Sequence, residues 1–258
     1  MKLKTFAMNL FLLIVGATAL VSCNKNTGDE KNYAEDFVKV EGDLGYYSFI
    51  TRNGFILTPT NQVAFQRKIG TRYGLIGYNF TDEAWQKGQA SKKIDVEAVR
   101  VIPIHEAMLV EKMLAKEGNA TIYSVGKTER QLMPISFFDE HTMMIPIGYY
   151  YKASRTIEEA EAELQKHTFQ FHYKIDDPQS DATNLRLYLR HTVADIDNQK
   201  DRIEIMHNIF VTNIYEALTY HKTRFNKAPK TIEIVYETAT LPTVPGNTST
   251  TQVTLPQQ

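Results

Sequence analysis

Two neighbouring segments fix the fold class more firmly than any other feature. In 167–174, Phe169, Phe171 and Tyr173 share one face of an extended chain, while Thr168, Gln170, His172 and Lys174 share the other. In 185–190, Leu185, Leu187 and Leu189 oppose Arg186, Tyr188 and Arg190. A strict period of two is the signature of strands with one face buried. Between them Asp176-Asp177-Pro178-Gln179-Ser180 has turn chemistry.

The same alternation recurs elsewhere. Tyr46 to Ile50 and Phe55 to Leu57 flank an Arg52-Asn53-Gly54 turn, and Thr58-Pro59-Thr60-Asn61 breaks the second strand. Arg72 to Phe80 reads as a strand. Ile94 to Ile104 reads as a long one, with Ile94, Val96 and Ala98 alternating with Asp95 and Glu97. Further strands are expected at Met143 to Ile145, from Ile203, and at Thr231 to Glu237. His105 to Lys116 fits a short helix, a mixed connector or, over Ala107 to Val110, a buried strand. Helices are expected over Ile157 to Lys166, and within Ile209 to Phe225, where Asn213 stands three residues before Glu216 as a candidate cap. The fold class is mainly β with one or two short helices.

The amino terminus states a location. Lys2 and Lys4 precede an apolar run from Phe6 to Val21, which closes on Leu20-Val21-Ser22-Cys23. That is the form of a lipoprotein signal peptide over residues 1–22, with Cys23, the only cysteine, as the lipid-bearing first residue of the mature protein. A transmembrane anchor is the alternative, but the run is shorter than the ~20 apolar residues that span a bilayer. Asn24 to Asn32 is polar, and the first ordered block is expected near Val38, so residues 23–37 read as a tether. With its thiol committed to lipid, the mature chain has no disulfide and depends on packing.

Removal of the leader leaves 236 residues, enough for two small cores. It also leaves 27 basic against 30 acidic residues, which recommends no nucleic-acid partner. At 43% hydrophobic and 23% charged the chain is ordinary globular material. Residues 238–258 hold prolines and threonines without a charge and are expected to be a disordered tail.

In order and spacing these stretches resemble the NigD-like lipoproteins of Bacteroidetes. The stretches are Tyr47 to Pro59, "RYGLIGYNFTD" from Arg72, "PISFFDEH" from Pro134, Gly148-Tyr149-Tyr150-Tyr151, "HTFQFHY" from His167 and "LRLYLRHTVADID" from Leu185. The resemblance implies an N-terminal OB-like barrel, over residues 38–108, followed by a β-sandwich domain over 109–237. It further implies attachment to the cell envelope, at the outer membrane, and association with bacteriocin-related or nutrient-uptake clusters. It carries no catalytic residue.

Candidate chemistry is sparse. His105-Glu106 lacks a second histidine four residues on, since Leu109 stands there. Asp139-Glu140-His141 places its side chains on opposite faces, so a polar turn is favoured over a metal site. His167 and His172 fall on opposite faces of one strand. Asp176, Asp177 and Asp181 lack the calcium-loop pattern. No metal and no cofactor is expected, and no catalytic motif recommends an enzyme. Arg186, Arg190 and His191 near Asp195 and Asp197 would either grip an anion or form cross-strand ion pairs on a solvated sheet face. Tyr149, Tyr150 and Tyr151, with Tyr46, Tyr47 and Trp85, would either stack on a glycan or protein partner or divide between core and surface. The expected function is a non-enzymatic, lipid-anchored binding module that meets the membrane through its lipid. An envelope hydrolase or carbohydrate-binding accessory is the alternative.

Overall fold

The computed structural model describes residues 31–43, 46–61, 70–111, 118–126, 134–195, 200–239 and 246–256. Signal peptide and Cys23 lie outside them. Within them the sequence-derived class holds: a closed five-stranded barrel is followed by a β-sandwich.

The barrel comprises β1 (Asn32–Asp43), β2 (Tyr46–Thr51), β3 (Ile56–Pro59), β4 (Tyr73–Phe80) and β5 (Lys93–Glu106). The β2–β3 turn is the expected one, with Gly54 at φ 76° and Thr51 N–H donating to Phe55 O at 2.8 Å. β1 pairs antiparallel with β2 and β4, β4 with β5, and β3 closes the ring by pairing in parallel with β5. Val38, Tyr47, Phe49, Leu57, Ile76, Tyr78, Ile94, Val96 and Ala98 fill its interior.

Helix α1 (Asp82–Ser91) covers one end and has no counterpart in the sequence reading. Thr81 Oγ1 accepts from Ala84 N–H at 3.2 Å as its N-cap, and Asp82 and Glu83 stand in the positive first turn. Gly88 sits against Ile94, where a Cβ would come within 2.3 Å of Ile94 Cγ1. Only a residue without a side chain lets the helix lie so close to β5.

The second body contains β6 (Met108–Val110), β7 (Ile122–Val125), β8 (Ser136–Phe137), β9 (Thr142–Tyr151), α2 (Ile157–Leu164), β10 (His167–His172), β11 (Asn184–Val193), β12 (Glu204–Asn213), α3 (Tyr215–Phe225), β13 (Thr231–Thr238) and β14 (Asn247–Thr254). Hydrogen bonding runs β12-β9-β7-β13-β11-β10-β6. Phe169 of β10 meets Phe210 of β12 and Tyr149 of β9, with ring centroids 4.5 and 5.1 Å apart. These strands are not hydrogen-bonded neighbours, so the two ends of the path face each other across a shared core. Leu185, Leu187, Leu189, Ile232, Ile234, Met143, Ile145 and Ile147 fill it.

Three expectations about element limits are corrected. Residues 32–37, placed in the tether, belong to β1: their polar side chains have partners, with Tyr78 Oη donating to Asp36 at 2.7 Å and Arg100 paired to Glu35. The domain boundary after Met108 falls inside β6, which pairs with β10, so 108 belongs to the second body. Of the alternatives left open for 105–116, strand is the one found, over 105–106 and 108–110. Asn213 does not cap α3 from the N-cap position, which Ile214 holds without a side-chain bond; Asn213 Oδ1 accepts instead from Tyr215 N–H at 2.9 Å.

The largest correction concerns the tail. Asn247–Thr254 is β14 and pairs antiparallel with β13 along its full length, while Val253 and Leu255 pack on the core. Absence of charge misled the reading, because a ladder needs only backbone groups and β-branched residues to support them. Truncation after Ala239 should therefore lower stability by on the order of 2–4 kcal/mol from lost Val253 and Leu255 burial. Urea denaturation of the full chain and the truncated chain measures it. Leu187, fully buried, should cost about 2–5 kcal/mol as Leu187→Ala.

Candidate functional site

The side chains picked from sequence do not form one site. Tyr149 and Tyr150 are buried. Tyr149 Oη accepts from Asn208 Nδ2 at 2.9 Å, and Tyr150 Oη donates to Ala239 O at 3.0 Å. Tyr151 is half-buried against the core. Tyr149 is thus a core residue with no ring face for a partner, while Tyr150 lies on the other side of β9 with its edge against the exposed Tyr123. Arg186 lies directly opposite Glu233 in the β11–β13 register and forms an ion pair with it at 2.5 Å. Arg190 donates to Leu189 O at 3.3 Å and lies over Tyr188. Both arginines therefore serve the sheet's outer face. Asp197 lies outside the described residues.

His191 departs from that cluster altogether. Period two places it inward with Leu185, Leu187 and Leu189, where it enters a buried polar network that the sequence reading missed. α2 delivers Glu163, β10 delivers His167, and the segment before β12 delivers Arg202, which is only 2% exposed. Arg202 Nε donates to Glu163 Oε1 at 2.7 Å, and a second Arg202 nitrogen pairs with Asp195 Oδ1. Lys166 Nζ bridges the same two carboxylates at 3.2 and 3.0 Å.

From Glu163 a chain of polar atoms runs inward. His167 Nε2 stands 3.3 Å from Glu163 Oε1, His167 Nδ1 is 2.9 Å from His191 Nε2, and His191 Nδ1 is 3.1 Å from Thr121 O. With both rings neutral, His191 donates to the carbonyl and His167 donates to His191. The Glu163–His167 contact is then the long one, and Arg202 supplies the carboxylate's short bond. The His191 ring lies flat on Phe169, with centroids 4.4 Å apart.

Burial and the adjacent His167 push His191 down to about 3. Burial also lowers His167, against the pull of Glu163. Burial would raise Glu163, but hydrogen bonds from Arg202 and Lys166 outweigh it and hold the carboxyl below its usual range. Lys166 and Arg202 hold Asp195 near 2. Mutually paired, and buried at Glu163, His167, His191 and Arg202, these groups act as a lock between α2, β10, β11 and the approach to β12.

A different surface faces solvent at the α1 end of the barrel. Trp85, 37% exposed, packs between Phe55 and Phe80 with centroids 5.6 and 5.4 Å away, and Lys92 Nζ lies 4.1 Å from the Phe55 centroid. This is an aromatic platform bordered by a cation. The single tryptophan was the available signal.

The fold has relatives among solved structures. A protein described as a "Putative lipoprotein" from Bacteroides fragilis NCTC 9343 shares 22% identity at TM-score 0.72, covering 87% of this chain and 99% of that one. A protein of unknown function from Bacteroides vulgatus shares 10% identity at TM-score 0.54, covering 88% and 92%. A NigD-like immunity protein from Bacteroides caccae shares 11% identity at TM-score 0.50, covering 84% and 91%. The resemblance to NigD-like lipoproteins is thus met at the level of the fold. No family model and no curated protein matches the chain.

Two outcomes test the lock. Arg202→Met leaves Glu163 buried without its main partner and should cost about 3–5 kcal/mol, measured by chemical denaturation. Both histidines and both acids have native values below their unfolded ones, so the unfolded chain takes up protons first on acidification. Stability should therefore fall as pH drops from about 6.5, the ordinary imidazole value, towards 3. Thermal melts across that range should show His191→Gln with a flatter profile above pH 4.5 on the order of one proton's slope.

Proposed function

We propose that the chain is a non-enzymatic binding module held at the cell envelope, at the outer membrane, by lipid on Cys23. The carrying observation is the short span between the leader's cysteine and the fold. β1 begins at Asn32, so residues 24–31 separate the lipid from the barrel. Fully extended, eight residues reach about 30 Å. The body is thereby kept beside the membrane surface. The fold shared with the Bacteroides fragilis protein supports this reading through that protein's description as a lipoprotein.

The binding end of the module is the platform of Trp85, Phe55, Phe80 and Lys92. Trp85 and Lys92 stand in the connection between β4 and β5, one of the loops through which OB barrels meet their ligands. A planar sugar face or an apolar protein side chain suits such a surface, and the bordering cation adds selectivity for an electron-rich ring or acidic group. A glycan-binding accessory role rests on the same platform.

Cys23→Ser should leave the fold intact and shift the protein from the membrane to the soluble fraction, or leave its leader uncleaved. Detergent phase partitioning with fatty-acid analogue labelling measures this; equal membrane retention by an unlabelled variant would refute the anchor. Because Trp85 is the only tryptophan, its emission reports on the platform alone. Titration with linear oligosaccharides or aromatic peptides should shift it, and unchanged emission with a bound probe would place binding elsewhere.

A further inference from the structure

We propose that the outer edge of β14 receives β14 of a second copy of this chain, so that two sandwiches join through one continuous antiparallel sheet about a two-fold axis. Among the described residues β14 pairs only with β13, which leaves its second row of backbone donors and acceptors without a strand. The orientation of those groups follows from the ladder. Leu255 N–H donates to Lys230 O at 2.9 Å, directly towards β13. Alternation then points the amides of Val253, Thr251 and Ser249 inward, and those of Thr254, Gln252, Thr250 and Thr248 outward.

The edge lacks the devices that normally keep strands apart. Edge strands are blunted by charge, internal proline, bulges or shortness. β14 is eight residues long, contains no ionisable side chain and no proline, and keeps its register with β13 unbroken. The barrel is closed, β6 and β8 are three and two residues long, and the stretch 204–209 of β12 that β5 leaves uncovered carries Glu204 and His207.

Self-pairing is favoured over a foreign strand because the sequence is complementary to itself. Outward amides must pair with outward carbonyls, and the one register that pairs all four outward residues sets Thr250 opposite Gln252 of the partner subunit and Thr248 opposite Thr254 of the partner subunit. Thr251 then meets Thr251 of the partner subunit at the axis. No charge opposes a charge anywhere along this register. Pro245 and Pro256 bracket the strand in sequence, and proline cannot continue a ladder, so slippage to a longer pairing is blocked. A two-fold axis normal to the sheet keeps Val253 of both copies on the core side.

The test uses the full chain in the membranes of its expression host. Thr251→Cys places a thiol at the axis, in a non-hydrogen-bonded pair whose Cα atoms approach to about 4.5 Å. Mild oxidation should give a covalent dimer beyond any formed by the parent chain. Adding Thr250→Pro removes one outward donor and no bond to β13, so melting should be unchanged while dimer yield falls at least about tenfold. If that variant fails to fold, Thr250→Lys with Gln252→Lys sets lysines against each other across both pairs and should have the same effect. Absence of the Thr251→Cys dimer, a yield indifferent to these edge variants, or a cross-link to a different protein would each overturn the proposal.

Discussion

Strand β5 belongs to two hydrogen-bonded systems at once, and the arrangement of everything else follows from that. Its first residues pair with β3 and β4 and close the barrel. His105 and Glu106 at its far end pair with β12, and Ala107 N–H donates to Val211 O at 2.8 Å. The junction is sealed by Ile104, Phe138, Met144, Ile209 and Val211, with Phe37 and Tyr73 of the barrel packed on them. Linkers between independent domains are exposed and cross few contacts. Here a fourteen-residue strand and a hydrophobic cluster take the linker's place, so the two bodies share backbone order.

The Glu163–Arg202 network performs the corresponding task at the other end of the sandwich. α2 is eight residues long, too short to be stable on its own. Thr156 caps it, and Arg155 N–H donates to Glu159, but its hold on the sheet comes through Glu163. That carboxylate accepts from Arg202, Lys166 and the Lys152 amide, which joins the helix to the end of β9 and the approach to β12. A hydrophobic contact would bind as well. Buried charges instead make every partner obligatory, since an unpaired one is costly. The network therefore fixes where α2 sits, with no large gain in stability.

What could be read from the sequence was whatever repeats with period two over several residues. β11 is the clearest case: Leu185, Leu187 and Leu189 lie inward as expected, and the same rule applied two residues further would have turned His191 inward as well. Its polarity groups it with Arg186 and Arg190, but the period of two decides which way it faces. α1 was not readable because it has no apolar stripe at helical spacing: Gly88 is its buried residue, and glycine is a poor helix former. The Thr81-Asp82-Glu83 start was its one local signal. β14 failed for a different reason. Its strand character comes from the neighbouring β13, which no local window contains. The Glu163–Arg202 pairing spans 39 positions and had no sequence signature at all.

The anchor point proposed above would suit the fold mechanically. Residues 24–31 lead directly into β1, which lies between β2 and β4 in the barrel wall. Asn32 to Lys39 pair with β4 and Val38 to Asp43 with β2. Under the proposed attachment, a pull on the chain at Asn32 along the strand would load the bonds of the ladder together in shear. At the end of a loop it would open them singly. Lys31 adds an ion pair to Glu97 of β5 at 2.8 Å, and Asn32 donates to Asp82 of α1 at 2.7 Å, so the first described residues are tied across the barrel before the ladder begins. These exposed contacts contribute little to global stability. Their placement opposes fraying at the position where a membrane tether would begin to pull.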